Sequence, residues 1–268
     1  MESVTNENEI ENLENNKILG NPSISKSKIN FIGIDNILYC ENNVDLVGST
    51  INFKGNNSLV YLSSTDSKYS LNIQVIHNST VYFGKDNNIV PMININAQEH
   101  KNVIIGDDCS ILSNVSIRTT DAHSFYNVDS KKRINYSGSV FIGDHVFLGH
   151  NAYIEKGAKI GSGTIIGNNA HVPSNVSLPS NKLFAGNPVK VFEDGVFFIK
   201  DYPASYNVEG TKDSSDYISN VFLFKNVAGE SLDLNKIDSL LSNFSVSDKI
   251  EFIQRLFVQN KRHDRFSL

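Results

Sequence analysis

The segment around His123 holds the residue types in this sequence with the clearest capacity for chemistry. A neutral imidazole within hydrogen-bonding reach of a hydroxyl can take its proton as the oxygen attacks, and can then return that proton to a leaving group. Asp121 and Asp129 are close enough along the chain to orient such a ring, and the basic run 131–133 could bind an anion. No serine or cysteine with a local base is evident. The pattern therefore favours direct transfer over a covalent intermediate.

A six-residue period defines the element from which this segment leaves. Large aliphatic residues recur without a break at Ile142, Leu148, Ile154, Ile160, Ile166, Val172 and Leu178, each preceded two positions earlier by a smaller residue. This period excludes an amphipathic helix, whose period is 3.6. Residues two apart share one face of a strand, so each hexapeptide is predicted to be a short strand. Three such strands close one coil of roughly 18 residues, and stacked coils bury a continuous aliphatic column.

His123 lies where the period is interrupted. A shorter run of the same kind, Ile105, Ile111 and Ile117, precedes it, and Ile117 is 25 positions before Ile142, which is 19 more than one hexapeptide. A loop is therefore predicted to leave the coil here. Loops on rigid scaffolds commonly carry function.

The whole chain is predicted to be all-β, a parallel β-helix with a small C-terminal α-helical appendage. Its regions are a polar tail at 1–25, irregular coils at 26–101, the hexapeptide β-helix at 102–192 with its loop at 118–139, and a C-terminal extension at 193–268. The irregular coils are inferred from Ile-Asn-Phe and related tripeptides that recur every 20 to 22 residues. In the extension, one helix is predicted from about Asp233 to Leu241. Another should follow a Ser247 cap, and residues 208–217 should form a loop.

Composition excludes several classes of protein. The chain has 268 residues, 40% of them hydrophobic, and a net charge of −5, so a generally basic surface for nucleic acid is not expected. Two cysteines make neither a disulfide scaffold nor a cysteine zinc site, and they fit a reducing compartment. The start has no leader pattern, and no apolar run is long enough to span a membrane. We therefore expect a cytoplasmic protein without a transmembrane segment.

Five ordered motifs between Asn102 and Val191 resemble those of a known family, the left-handed parallel β-helix acyltransferases with hexapeptide repeats. The motifs are IIGDDCSI, TTDAH, KKRIN, VFIGDHVFLGHNAYIEKGAKIG and FAGNPVKV. The order is most similar to bacterial O-acetyltransferases that modify sugars of capsule or lipopolysaccharide, including the polysialic acid O-acetyltransferases. This resemblance implies the left-handed sense of the coil, a homotrimer, acetyl-CoA as co-substrate and no metal.

The resemblance also implies catalytic roles. His123 would be the base that activates a sugar hydroxyl for attack on the thioester, and Asp121 would orient it. Phe147 stands where the family usually has a tryptophan. A phenyl ring keeps the aromatic wall but cannot donate a hydrogen bond to the developing oxyanion.

Further residues are implied to bind the two substrates. The predicted acetyl-CoA contacts are Ala122, Gly149, Ala152, Ala170, Asn187 and Lys190, with the pantetheine lying along the coils between two subunits. The predicted acceptor contacts are Tyr126, Lys132, Arg133 and Asn135. An acidic glycan such as a sialic acid polymer would be steered by the basic run.

Three alternatives remain open from the sequence. An N-acetyltransferase of a nucleotide-linked amino sugar would have the same coils. A zinc lyase of the γ-carbonic-anhydrase type would collect His123, His145 and His150, although Glu155 replaces the second histidine expected there. A non-catalytic scaffold or glycan-binding module would bind no CoA.

Overall fold

Three long sheets form the sides of a parallel β-helix. The computed structural model describes residues 1–227 and 229–268. Sheet 1 has the strand order β1-β4-β7-β9-β12-β15-β18-β21, sheet 2 the order β2-β5-β8-β10-β13-β16-β19-β22, and sheet 3 the order β11-β14-β17-β20-β23-β24. A short pair, β3-β6, is separate from these sheets. Because successive strands belong to successive sheets, the chain winds around three sides, as the hexapeptide period predicts.

The strands of each sheet have the following bounds. Sheet 1 consists of β1 Glu2–Val4, β4 Lys28–Phe31, β7 Thr50–Phe53, β9 Leu71–Val75, β12 Ile93–Ala97, β15 Ser116–Arg118, β18 Tyr153–Ile154 and β21 His171–Val172. Sheet 2 consists of β2 Lys17–Leu19, β5 Ile37–Cys40, β8 Leu59–Leu62, β10 Thr80–Phe83, β13 Val103–Ile105, β16 Val140–Ile142, β19 Lys159–Ile160 and β22 Ser177–Leu178. Sheet 3 consists of β11 Asn88–Ile89, β14 Ser110–Ile111, β17 Phe147–Leu148, β20 Ile165–Ile166, β23 Lys182–Ala185 and β24 Lys190–Asp194, and the separate pair is β3 Ser23–Ser25 with β6 Asp45–Val47.

The interior is one column of aliphatic and aromatic side chains. In sheet 1, Ile29 pairs with Ile51, and much further along the chain Ile117 pairs with Ile154. All these side chains are buried. Most strands of the N-terminal coils have four or five residues, and the strands from β13 to β22 have two or three. This difference accounts for the longer repeat near the N-terminus.

Residues 1–25, predicted as a polar tail, are part of the structured stack. They contain β1, β2 and β3 and a 3-10 helix over Glu7–Asn12, and β1 pairs antiparallel with β4. Val4, Ile18 and Ile24 are buried in the core column. These three aliphatic residues are too widely spaced among polar ones to be recognised as a period.

The described part of the C-terminal extension contains three α-helices. They are α1 Val208–Asp213, α2 Leu234–Asn243 and α3 Val246–Ile253, which continues as a π-helix over Gln254–Val258, and a 3-10 turn covers Pro203–Ser205. Two predictions were wrong in detail. α1 lies in the predicted loop 208–217, and Ser245 rather than Ser247 caps α3, in a capping box with Asp248.

Helices α2 and α3 cover the outer side of sheet 2. Tyr61, Tyr82 and Phe141 project outward from this sheet and pack with Leu241 and Phe257 in a second apolar cluster. The all-β parallel β-helix with a small α-helical appendage is therefore confirmed. Within the described residues, no helix has both the length and the apolar character needed to cross a membrane.

Candidate active site

The loop 118–139 leaves the helix at the corner between sheets 1 and 2. It follows β15 and returns into β16, and an antiparallel bridge joins Tyr126 to Arg133 at its centre. The Ile134 amide donates to the Phe125 carbonyl at 3.0 Å. The insertion is thus a hairpin-like arm with its own hydrogen bonds, and the strands before and after it remain in the stack.

His123 lies near the base of this arm with an exposed side chain. The preceding residue, Ala122, has a left-handed φ of 67°, which turns the chain at this point. The Asn135 amide nitrogen donates to the His123 carbonyl at 2.8 Å and to Asp121 Oδ2 at 2.7 Å. Its oxygen accepts from the Phe125 amide at 2.7 Å. The imidazole is therefore exposed to solvent. The backbone that carries it is held by the buried side chain of Asn135.

Asp121 contacts a buried lysine. Its carboxylate forms an ion pair with Lys156, whose side chain is almost wholly buried beneath the arm. Burial by itself would raise the pKa of Asp121, but hydrogen bonds from Lys156 and Asn135 and the lysine charge lower the pKa overall. Asp121 thus attaches the base of the arm to the coil. Its predicted role, orienting the imidazole, corresponds to no hydrogen bond between the two side chains in this structure.

Arg133 is held by a carboxylate on the neighbouring coil. Its guanidinium lies 2.5 Å and 2.9 Å from the two oxygens of Glu99, in bidentate geometry, and 5.2 Å from the centre of the Tyr136 ring. Hydrogen bonds from Arg133 and Ser137 lower the pKa of Glu99 to about 2. The guanidinium predicted to bind an anionic substrate is therefore already paired.

The remaining predicted acceptor contacts divide by exposure. Lys132 and Tyr126 are exposed on the arm. Asn135 is buried, and its amide is used within the arm as described above. Asn135 therefore positions His123, which sequence reasoning did not anticipate.

Phe147 lies on β17 of sheet 3, where it packs edge to face against Phe198 of the C-terminal extension at 5.5 Å. In a three-sided coil, the corner between sheets 1 and 2 is opposite sheet 3. One chain therefore does not bring Phe147 next to His123.

The predicted acetyl-CoA contacts are distributed along the coils. Ala152 and Ala170 point into the core, and Gly149 closes a corner at which an added Cβ would lie 2.6 Å from the Asn168 amide. Asn187 and Lys190 are exposed at the hairpin that joins β23 to β24. These five residues lie along the later coils, whereas Ala122, the sixth predicted contact, lies at the base of the arm beside His123.

Asn187 belongs to a polar cluster that sequence reasoning missed. Its side-chain oxygen lies 2.9 Å from Nδ1 of His171, whose Nε2 lies 3.0 Å from Glu155 Oε1. Burial would raise the pKa of Glu155, but hydrogen bonds from Ser174 and the close approach of His171 lower it overall. The three residues come from successive coils, so their meeting follows from the stacking and not from their spacing along the chain.

His145 is enclosed by the C-terminal extension. Its ring is stacked between Phe198 at 4.2 Å and Phe222 at 3.8 Å. Nδ1 lies 2.7 Å from Asp108 Oδ2, and Nε2 lies 2.8 Å from the Phe198 carbonyl oxygen. Nε2 thus attaches the extension to the coils, while Nδ1 is held by Asp108 of the preceding coil. Over residues 1–227 and 229–268, no group of three His, Cys, Asp or Glu side chains is arranged to hold a metal ion.

Comparison with known proteins adds to this geometry. Residues 139–174 match the family model described as bacterial transferase hexapeptide (six repeats). The solved structure of the polySia specific acetyltransferase NeuO is 26% identical, covers 75% of this chain and 98% of its own, and has a TM-score of 0.61. The polysialic acid O-acetyltransferase OatWY is 25% identical, covers 76% of this chain and 97% of its own, and has a TM-score of 0.64. None of the curated protein sequences gives a significant match.

Proposed function

We propose that this chain, which resembles acyltransferases of the hexapeptide-repeat type, transfers acetyl from acetyl-CoA to a hydroxyl of a sugar in a bacterial surface glycan, with His123 as general base. One observation carries the proposal. An exposed histidine lies on the single long arm inserted into the hexapeptide coils, and Asn135 together with the Asp121–Lys156 ion pair fixes the backbone beside it. Such bracing orders a proton acceptor before substrate arrives.

The proposed reaction is a direct displacement. The neutral imidazole of His123 takes the proton from the sugar hydroxyl as its oxygen bonds to the thioester carbonyl carbon. Backbone N–H groups of a neighbouring coil would donate to the resulting oxyanion. The carbon–sulfur bond then breaks, and the proton passes to the thiolate. The products are the acetylated sugar and CoA thiol, and the imidazole is again neutral.

We propose a homotrimer with each active site between two copies of the chain. His123 and Phe147 occupy opposite parts of one coil, so the two predicted catalytic residues can meet only across a subunit contact. The arm supports such a contact, because Tyr126, Val128 and Ile134 are largely exposed apolar residues on it. Surface patches of this kind commonly mark protein interfaces.

The acceptor class is proposed from the two similar structures, both named for acetylation of polysialic acid. An acidic polysaccharide is the acceptor that we propose for this chain.

We also propose that the protein is located in the cytoplasm. This location agrees with the two free, buried cysteines.

The test measures CoA thiol release with sialic acid oligomers, neutral capsular oligosaccharides and nucleotide-linked amino sugars as acceptors. His123→Asn should lower turnover by about 100-fold or more, the usual contribution of a general base, with CoA binding retained. His77→Asn is the matched control, because His77 is an exposed histidine at a corner of an N-terminal coil. Full activity of His123→Asn would refute the assigned base. Turnover only with amino sugars would establish the N-acetyltransferase alternative.

A further inference from the structure

The outer side of sheet 1 carries a polar groove that none of the predicted catalytic residues lines. It encloses about 410 Å³ and is lined by Asn52, Asn72, Gln74, Asn94, Ile95, Asn96, Ser116, Ile117, Arg118 and Tyr153. The lining residues come from consecutive coils. With strands about 4.8 Å apart, the path from β7 to β18 is roughly 20 Å long.

Side-chain amides form ladders along this groove. The Asn72 amide donates to Asn94 Oδ1 at 2.9 Å, and the Gln74 amide donates to Asn96 Oδ1 at 3.4 Å. Each amide group has two N–H donors and two acceptor lone pairs, so a ladder contact leaves further donors and acceptors directed outward. Such a row of fixed, uncharged hydrogen-bonding groups matches the hydroxyl and amide groups of a sugar chain.

The groove has a different charge balance from the rest of this acidic protein. The chain has a net charge of −5, yet none of the groove-lining residues is acidic, and Arg118 lies among them. Lys28, the first residue of β4, and Lys54, directly after β7, are both exposed. This distribution of charge favours a ligand that carries carboxylates over a neutral one.

Arg118 connects the groove to the candidate active site. It is the last residue of β15, and the arm that holds His123 follows it directly. Its Nη1 donates to the Tyr153 hydroxyl at 2.5 Å, which sets the guanidinium across the end of the groove. The remaining N–H groups of this guanidinium can bind a carboxylate.

Among residues 1–227 and 229–268, no element covers sheet 1 in the way that the other sides of the coil are covered. Helices α2 and α3 pack on sheet 2, and Phe198 packs on Phe147 of sheet 3. A second copy of this chain is a poor occupant for the groove. Subunit contacts are enriched in aromatic and apolar side chains at their centre, and desolvating a row of amides without new partners is unfavourable.

We propose that this groove binds an extended acidic glycan chain and guides one of its sugar units to His123. This proposal rests on the proposed function only for the claim that the bound glycan leads towards His123. Binding of the glycan to the amide ladder and to Arg118 requires no transfer reaction. A ligand that spans several coils should bind more tightly with each added sugar unit until the groove is filled.

The test measures affinity without acetyl-CoA, by calorimetry, for sialic acid oligomers of one, two, four and eight units and for maltose oligomers of the same lengths. Wild-type protein should bind the acidic oligomers with affinity that rises at least tenfold from the monomer to the longest. Gln74→Glu and Arg118→Ala should each remove most of this gain. Gln259→Glu and Arg255→Ala are the matched controls, since both residues are exposed on the C-terminal appendage.

Three binding results, and one change of assembly, would overturn the proposal. The first is an affinity that does not depend on oligomer length, the second is equal binding of the maltose series, and the third is unchanged binding by the groove variants. A change of assembled mass in Gln74→Glu would assign this side of sheet 1 to a subunit contact and would likewise overturn it. If the glycan binds as predicted but thiol release is absent, the proposed acetyl transfer fails while the glycan site stands.

Discussion

Asn135 determines how His123 is presented. It donates to the His123 carbonyl and to Asp121 and accepts from the Phe125 amide, so it joins the two sides of the arm at its base. A buried amide with three such bonds has little freedom to move. Asn135 therefore fixes the backbone from which the imidazole projects, and no hydrogen bond joins that ring to Asp121.

We predict that Asn135→Ala lowers kcat by about 10- to 100-fold, because a shift of about 1 Å in a catalytic group has an effect of this size. The KM for acetyl-CoA should change little. Asn127→Ala is the control, since Asn127 caps the tip of the same arm through its contacts with Asp129 and Ser130. Equal losses in the two variants would show that general loosening of the arm, and not the placement of His123, is responsible.

We predict that the Glu99–Arg133 ion pair makes the stability of the protein depend on pH. The folded-state pKa of Glu99 is about 2, below its ordinary value of 4.5, so its contribution to stability is present above pH 4.5 and disappears as the pH falls towards 2. Glu99→Gln should therefore be less stable than wild type near neutral pH, and the difference should vanish in acid. Since the carboxylate is partly exposed, the difference should not exceed about 1 kcal/mol.

Urea unfolding between pH 7 and pH 3 would measure this difference. Glu251→Gln serves as control, because it breaks an exposed pair with Arg255 within one helix. A Glu99→Gln difference that stays constant across the range would contradict the assigned ion pair.

The sequence predicted the arm and His123, but not the contacts that hold them. Lys156 is 35 positions from Asp121, and Glu99 is 34 positions from Arg133. Each pair meets because two coils stack, and the exact register of that stacking is not visible in residue spacing. The loop insertion was visible because it breaks a period.

At the scale of elements, the regular coils were predictable and the appendages were only partly so. The hexapeptide strands follow from an unbroken apolar period, whereas β1 to β3 are formed by isolated aliphatic residues in polar sequence. Helix α3 was predicted two residues late, because Ser245 and Ser247 are both good caps and only Ser245 forms the reciprocal bonds with Asp248.

Helix α3 is attached to the coils by Lys249. Its fully buried ammonium donates to the Asn57 carbonyl at 2.8 Å and to the Asn78 carbonyl and side chain at 3.0 Å and 2.6 Å. Lys249→Met removes these donors from buried acceptors, so we expect the free energy of unfolding to fall by about 2 kcal/mol. Lys236→Met, at an exposed site on α2, should have almost no effect.

The stability difference between wild type and Lys249→Met should also depend on pH. Burial lowers the pKa of Lys249 from 10.5 to about 7. Between these values the unfolded chain binds the extra proton, so the stability of the wild type should rise with pH over this window relative to Lys249→Met. Denaturant unfolding from pH 7 to pH 10 measures the difference. A constant offset between the two proteins would show that the amine has an ordinary pKa.

On the scale of the whole molecule, the three sides of the coil have different surroundings. Sheet 2 is covered by the chain's own helices, sheet 3 presents Phe147 beside the extension, and sheet 1 is polar and open. Because His123 is opposite sheet 3 in its own chain, the proposed active site needs two copies, each contributing a different side.

Mixed assemblies would test this arrangement. His123→Asn and Phe147→Ala should each be poorly active alone. If an active site joins His123 of one copy to Phe147 of the next, random trimers from equal amounts of both variants should regain about a quarter of wild-type activity. The measurement is thiol release by assemblies purified after co-expression with different tags. Activity no higher than the mean of the two parents would place both residues in one chain.

The arm can change in length during evolution without affecting the coils. The strands on either side of it pair as if it were absent, since Val103 aligns with Val140 and Ile117 aligns with Ile154. Insertions or deletions in the arm therefore leave the hydrogen-bonded register of every later coil unaltered. Exchange of residues 121–137 between related chains should alter selectivity without disturbing the scaffold, so new activities can evolve in the arm while the coils are conserved.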